Sequence, residues 1–162
     1  MTAEERQDAL ATLFAEQFGV EDLDAANGGP MIPAERHREL AKALKAAGYT
    51  FYVYVVATHF LATTPRKGDP LPERIEVATG LRSVGAGSLV AQWRVQVAID
   101  EPIDTLADVF FGADWQEREQ FDLVGVIFKD HPDLRRIMLP EEWVGHPLRK
   151  DYAIETGHLP WR

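Results

Sequence analysis

Cysteine is missing altogether from the 162 residues, which removes disulfides, thiolate nucleophiles, thiolate-held zinc and ordinary iron–sulfur ligation together. Any electron that passes this chain is expected to do so in a neighbour. Serine is nearly as scarce. Only Ser83 and Ser88 occur, beside one glycine-rich turn and outside any Gly-x-Ser-x-Gly elbow, so serine hydrolase chemistry is discounted. No apolar run approaches the ~18–20 residues that cross a bilayer, so membrane association is expected only indirectly, through a partner. Basic residues are in deficit too: 17 Lys plus Arg face 26 Asp plus Glu. The net charge of −9 opposes phosphate backbones and anionic headgroups, and nucleic acid is not expected as a ligand. The start, Met1-Thr2-Ala3-Glu4-Glu5-Arg6, lacks the basic and apolar regions of a secretory signal, and a cytoplasmic location is expected.

What is present suits one compact domain with modest extensions. Thr2 and Glu5 have capping-box spacing, and Leu10, Leu13, Phe14 and Phe18 then recur on one helical face as far as Gly19. A second helix opens with Pro33, turns Leu40, Ala43, Leu44 and Ala47 inward, and meets Gly48 where a left-handed cap belongs. The run Phe51 to Val56 is almost continuously apolar, as in a strand covered on both faces. Arg74–Val84 and Leu89–Ile99 alternate polar with apolar residues around the turn Val84-Gly85-Ala86-Gly87-Ser88. Ala91, Trp93, Val95 and Val97 are the side expected to face the helices. Thr64 to Pro72, with three prolines and a glycine, reads as a surface loop. Asp104 is placed to cap a short helix through Phe111. Asp114 with Glu117 has the spacing of a second capping box, before a helix ending near Gly125 and a short strand at Val126-Ile127-Phe128.

The expected architecture is α+β: two layers, a mixed and largely antiparallel sheet of about four to five strands, helices packed on one face, and an extended C-terminal strap. The core domain is assigned to residues 1–139 and the strap to 140–162. Ordering a residue costs about 1–2 kcal/mol. Over the whole strap this exceeds what Trp143, Tyr152 and Trp161 return on burial, so further surface, on this domain or another protein, must hold it.

Little in the sequence promises catalysis. Gly85-Ala86-Gly87 lacks the third glycine of a dinucleotide fingerprint and precedes a strand, so a hairpin turn is the better reading. Of His37, His59, His131, His146 and His158, no two stand four apart, and a metal site is not expected. Histidine before proline, at 131 and 146, reads as a turn device. In Asp114–Asp122 the carboxylates have a structural reason to be there, since acidic residues in a first helical turn offset the macrodipole. That leaves Arg118, Arg135, Arg136 and Arg149, which can form an ion-pair lattice or be offered to a partner.

The string Glu117 to Met138, E-R-E-Q-F-D-L-V-G-V-I-F-K-D-H-P-D-L-R-R-I-M, closely resembles the diagnostic motif of the 30-kilodalton (C-type) subunit of respiratory complex I. Gly145 to Tyr152, G-H-P-L-R-K-D-Y, resembles that family's second block. The likeness is close from about Asp100 to Tyr152 and looser upstream, where the order helix, short strand near Met31-Ile32, helix and three strands suits the family. Thr58-His59 stands where that pattern carries an acidic residue, and Val109-Phe110-Phe111 where Trp-Pro or Tyr-Pro is usual.

The resemblance implies a subunit without FMN, iron–sulfur cluster or quinone of its own. It would pack against a 49-kilodalton-like subunit near the quinone site, on the cytoplasmic side of the plasma membrane. In such a complex NADH reduces FMN, electrons pass along iron–sulfur clusters to quinone, and protons are translocated, all on cofactors held by other chains. The residues assigned to subunit contacts are Glu117, Arg118, Glu119, Asp122, His131, Arg135, Arg136, Trp143, His146, Leu148, Arg149 and Tyr152. Related subunits serve membrane-bound hydrogenases and ferredoxin-fed complexes, and one chain does not separate these hosts. A free-standing enzyme built on Glu117, Glu119, Asp122 and the histidines has no site geometry to support it.

Overall fold

The computed structural model describes residues 2–23, 28–65, 68–85 and 89–153. Helix α1, Ala3–Phe18, begins with the expected reciprocal capping box, in which the Thr2 hydroxyl accepts from Glu5 N and the Glu5 carboxylate accepts from Thr2 N. It ends at Gly19 in the left-handed region. A 3₁₀ turn, Ala34–Arg36, runs into helix α2, His37–Ala46, which buries Leu40, Ala41 and Leu44. Ala47 lies exposed just past the helix, contrary to its expected inner position.

Strands β1 (Phe51–Phe60), β2 (Arg74–Arg82) and β3 (Val90–Val97) form an antiparallel sheet in that order. The alternation in β3 is as expected: Ala91, Trp93, Val95 and Val97 are buried. The turn between β2 and β3 falls partly outside the described residues. At its near end Ser83 closes the hairpin, donating its N–H to Leu89 O and accepting Leu89 N–H on its hydroxyl. Pro30–Ile32 lies along β3: Ile32 N donates to Arg94 O and Arg94 N to Pro30 O, both at 2.8 Å.

Strand β1 departs from the expectation. It extends through His59, and a bulge at Val53 shifts its register, so Phe51 and Val56 face solvent while Tyr52, Val55 and His59 are buried. It is an edge strand with one covered face, and its apolar content outside that face is free of core packing.

The segment after Asp104 forms no helix. Ile103–Asp104 is instead strand β4, paired in parallel with β5, Phe128–Lys129. Between β4 and the next helix, single turns at Leu106–Phe110 bury Leu106 and Phe110. Helix α3, Ala113–Val124, starts from Gly112 with no side-chain cap. The Asp114–Glu117 box is therefore absent, because Asp114 already lies in the first turn and Glu117 is drawn inward. The five strands thus divide between a three-stranded antiparallel and a two-stranded parallel sheet, with the helices completing one α+β core.

Helix α3 lies along the open edge of β1. Gln116 and Gln120, one turn apart, accept Val55 N–H and Ala57 N–H, each at 2.9 Å. Two residues of strand rise about 6.7 Å and four of helix about 6 Å, so the two spacings match and the glutamines stand in for a fourth strand.

Candidate functional site

Asp122 occupies the inner side of the last turns of α3 and is fully buried. Its Oδ2 accepts three successive backbone N–H groups, from Ile137 (3.0 Å), Met138 (2.7 Å) and Leu139 (2.9 Å). Its Oδ1 accepts from Arg136 Nη1 at 2.6 Å. Burial pushes this carboxyl up, but the three N–H groups and the guanidinium together hold it below the usual carboxylate range. Arg136 then reaches on: its Nη2 donates to Trp143 O and Gly145 O, each at 3.0 Å. One carboxylate and one guanidinium thereby fold the chain from 136 to 145 back onto α3.

The next residues are tied to the same place. His146 donates Nδ1–H to Asp122 O at 2.9 Å, and Leu148 N donates to Leu123 O at 2.9 Å. The ring of His146 meets the edge of Phe121 and lies over Gly125, where a Cβ would fall 2.7 Å from His146 Cδ2. Gly125 is thus required twice, for its φ of 87° as the helix cap and for this close approach.

Farther along, Lys150 N donates to Nδ1 of the buried His59 at 3.0 Å, and Nε2 of His59 faces Glu73 at 2.8 Å. Arg149 forms a bidentate pair with Asp151 at 2.8 and 2.9 Å and also lies 3.9 Å from Glu73. His59, Glu73 and Asp151 come close enough to hold a metal ion. Their bonding opposes that use: one ring nitrogen is engaged by a backbone donor, the other faces a carboxylate, and Arg149 already supplies the positive charge.

A second buried carboxylate sits at the other end of α3. Glu117 Oε1 accepts Leu106 N–H at 2.7 Å, and Oε2 accepts the Thr105 hydroxyl. Burial pushes this carboxyl up to about 7 despite those two donors. His131, its ring buried, receives Asp133 N–H on Nδ1 (3.1 Å) and turns Nε2 toward Asp114 O (3.2 Å). Arg118 stacks over Trp115 and donates Nε–H to Arg135 O at 3.3 Å. Arg135 itself points outward and pairs with Asp133. Glu119 is half-buried, and its carboxylate makes no hydrogen bond or ion pair to any described residue.

The residues singled out in the sequence therefore separate by direction. Glu117, Arg118, Asp122, His131, Arg136 and His146 turn inward and fix backbone. Trp143 (41 % exposed) and Leu148 (62 %) face outward although their own backbone is anchored, and so does Val144 (86 %), which the sequence did not single out. Tyr152 packs over Gly145, and an open groove of about 1030 Å³ runs beside it, lined by Trp143, Val144, His146, Arg149 and Tyr152. Glu73 and the glutamines of α3 escaped the sequence reading, and His59 entered it only among the histidines and as a departure from the family pattern. The glutamine pair had a signal in its four-residue spacing, whereas Glu73 and His59 meet only through the β1–β2 register.

Asp122 and Arg136 form a polar hub that ties the segment 136–145 to α3, with the large apolar side chains of Trp143 and Val144 left on its outer side. Residues 31–158 match the family described as respiratory-chain NADH dehydrogenase, 30 Kd subunit, and the chain belongs to that family. NADH-quinone oxidoreductase subunit 5 of Thermus thermophilus is 39 % identical over 152 residues, covering 90 % of this chain and 70 % of the relative. The C-type subunit of the NADH-quinone oxidoreductase from Moorella thermoacetica is 38 % identical over 130 residues, covering 78 % and 80 %. Among solved structures, the trypsin-resistant fragment (1-134) of Nqo5 superposes with a TM-score of 0.55 at 35 % identity, over 64 % of this chain and 80 % of that one. Among the described residues no helix is long and apolar enough to cross a membrane.

Proposed function

We propose that this chain is a structural subunit in the peripheral arm of a proton-translocating NADH–quinone oxidoreductase, carrying no cofactor and performing no chemistry alone. It clamps neighbouring subunits, chiefly the 49-kilodalton-like one near the quinone site, on the cytoplasmic side of the membrane. NADH oxidation, FMN, iron–sulfur clusters and quinone belong to other chains. The observation that carries this reading is the segment around Trp143, Val144 and Leu148, whose backbone is bound to α3 through Arg136, His146 and Leu148 N while its large side chains stay exposed. A segment already ordered loses less entropy on docking than a free one. The lack of cysteine supports the cofactor assignment, since ordinary cluster ligation needs thiolates. The division into core 1–139 and docking segment 140–162 belongs to the same proposal, with the hub as the joint between them.

The test is co-purification of the other subunits with a tagged chain carrying Trp143→Ala and Leu148→Ala. The expected result is an unchanged circular dichroism spectrum with loss of the captured subunits; capture at the wild-type level overturns the reading. In parallel, the purified chain alone is expected to oxidise no NADH and to carry no flavin or iron. Turnover by the chain alone overturns the non-catalytic assignment.

A further inference from the structure

Glu117 serves neither the Asp122 hub nor the docking side chains, and its surroundings leave it without a countercharge. Only 1 % of the residue is exposed. The groups that face it come from every element around it. Thr105 and Leu106, after β4, donate to its two oxygens. Asp114 on its own helix and Asp108 in the preceding turn add negative charge, and Tyr52 of β1, whose buried hydroxyl has no hydrogen-bond partner, feels the Glu117 charge. The cations bound to the 105–112 segment are engaged elsewhere: Arg38 binds Asp108, and Lys45 binds Val109 O. Within ion-pair distance among the described residues there is only Nε2 of His131, at 3.9 Å.

Both ring nitrogens of His131 are already engaged. Nδ1 receives the Asp133 N–H, so that nitrogen carries no proton, and the Nε2 proton points to Asp114 O, with Asp114 Oδ1 3.5 Å away. Making the ring a cation requires a second proton on Nδ1 and breaks the Asp133 bond. An ionised Glu117 would therefore be a buried charge without an opposite one, which burial strongly disfavours. A neutral Glu117 avoids this. In that form the Thr105 bond reverses: the carboxyl O–H donates to Thr105 Oγ, which also accepts Ala107 N–H at 3.0 Å, the Thr105 hydroxyl hydrogen turns away, and Oε1 keeps the Leu106 bond.

We propose that Glu117 is a proton-binding site buried between α3, the β4 turn and the loop after β5, holding one proton in the folded chain in mildly acid solution and releasing it as the pH rises through neutrality. Burial acting on the carboxyl agrees with this placement. Loss of the proton sets Glu117 against Asp114 and Asp108 and loosens the 105–112 segment, which carries the exposed Phe111.

The test is a ¹³C and ¹⁵N NMR titration of the full-length wild-type chain, with the Glu117 carboxyl carbon assigned through bonds. The expected result is a carboxyl midpoint near 7 while His131 Nδ1 stays unprotonated through that step. A midpoint in the ordinary range of about 4–5 overturns the proposal. So does a His131 ring carrying both protons at neutral pH, which would put the proton on the imidazole. Unfolding equilibria of Glu117→Gln, measured against wild type, give a second reading. The ratio of the wild-type to the variant unfolding constant is expected to rise about 80-fold between pH 4.5 and 7, because only wild type releases a proton on unfolding there. A ratio flat across that range overturns the proposal, and if the variant does not fold the NMR titration decides.

Discussion

Around the three-stranded sheet the interior is almost wholly apolar: Phe14, Leu40, Leu44, Val77, Leu81, Trp93 and Val95 fill it. Among its few buried polar residues are His37, His59, Thr79 and Ser83, and the Trp93 indole N–H donates to His37 Nδ1 at 3.0 Å. Around α3 the interior is instead organised by carboxylates, with Glu117 and Asp122 each holding backbone N–H groups from segments distant in sequence. The apolar region is stabilised by many small, non-directional gains, so it yields gradually as atoms are removed. The polar region depends on a few directional bonds. Removing one partner there leaves several buried groups unmatched at once, and the loss is abrupt.

The sharpest test of that contrast is Asp122→Ala, which strands Arg136 and the three N–H groups of 137–139. A loss of about 3–5 kcal/mol is expected, with hydrogen-exchange protection falling first across residues 137–148. If protection falls evenly over the whole chain, the two regions form one unit and the contrast fails. Leu44→Ala, in the apolar region, is expected to cost about 3 kcal/mol in urea unfolding and to leave protection at 137–139 intact relative to the rest.

Acid separates the regions by sign. Burial lowers His37 to about 3, against 6.5 when unfolded, so unfolding takes up a proton between those values. Its contribution is complete above pH 6.5 and is lost as pH falls, at up to about 1.4 kcal/mol per unit. Glu117 runs the other way. With its folded value raised to about 7 above the ordinary 4.5, its contribution is complete below 4.5 and is lost as pH rises through 7. From pH 4.5 to 6.5 the two slopes oppose each other, and wild-type stability is expected to be nearly flat. Glu117→Gln is expected to uncover the His37 slope, with stability climbing toward neutral pH in urea unfolding.

Gln120→Leu probes the seam between the regions. It leaves the Ala57 N–H on the β1 edge without its acceptor, at an expected cost of about 1–2 kcal/mol. Faster exchange at Ala57, with Val55 still protected by Gln116, would show that each glutamine holds its own strand amide.

How much of this was visible in the sequence follows the same division. Thr2 with Glu5, Gly19, and the alternation at Ala91, Trp93, Val95 and Val97 were legible because caps and periodic burial are local patterns. Asp104 through Phe111 was misread because Glu117 binds Thr105 and Leu106 from more than ten residues away and keeps that stretch irregular. The Asp114–Glu117 spacing matched a capping box, yet the helix starts at Ala113 and the second carboxylate serves another segment. Arg136 was legible as a charged residue of the motif. Its four acceptors, three of them backbone carbonyls, were not, because they depend on the path of the chain.

The neighbours Arg135 and Arg136 sharpen the comparison at a single peptide bond. Arg136 turns inward onto Asp122, Trp143 and Gly145; Arg135 turns out and meets only the exposed Asp133, two residues away. A solvent-exposed ion pair gains little, because water screens it and two side chains lose freedom to make it. Arg135→Ala is therefore expected to leave the urea midpoint unmoved and, if its guanidinium is offered to a partner, to lower capture of the other subunits. Arg136→Ala is expected to lower both, since the docking side chains lose the backbone that positions them. If Arg135→Ala lowers the midpoint as far as Arg136→Ala does, side-chain direction does not divide the folding arginines from the docking ones.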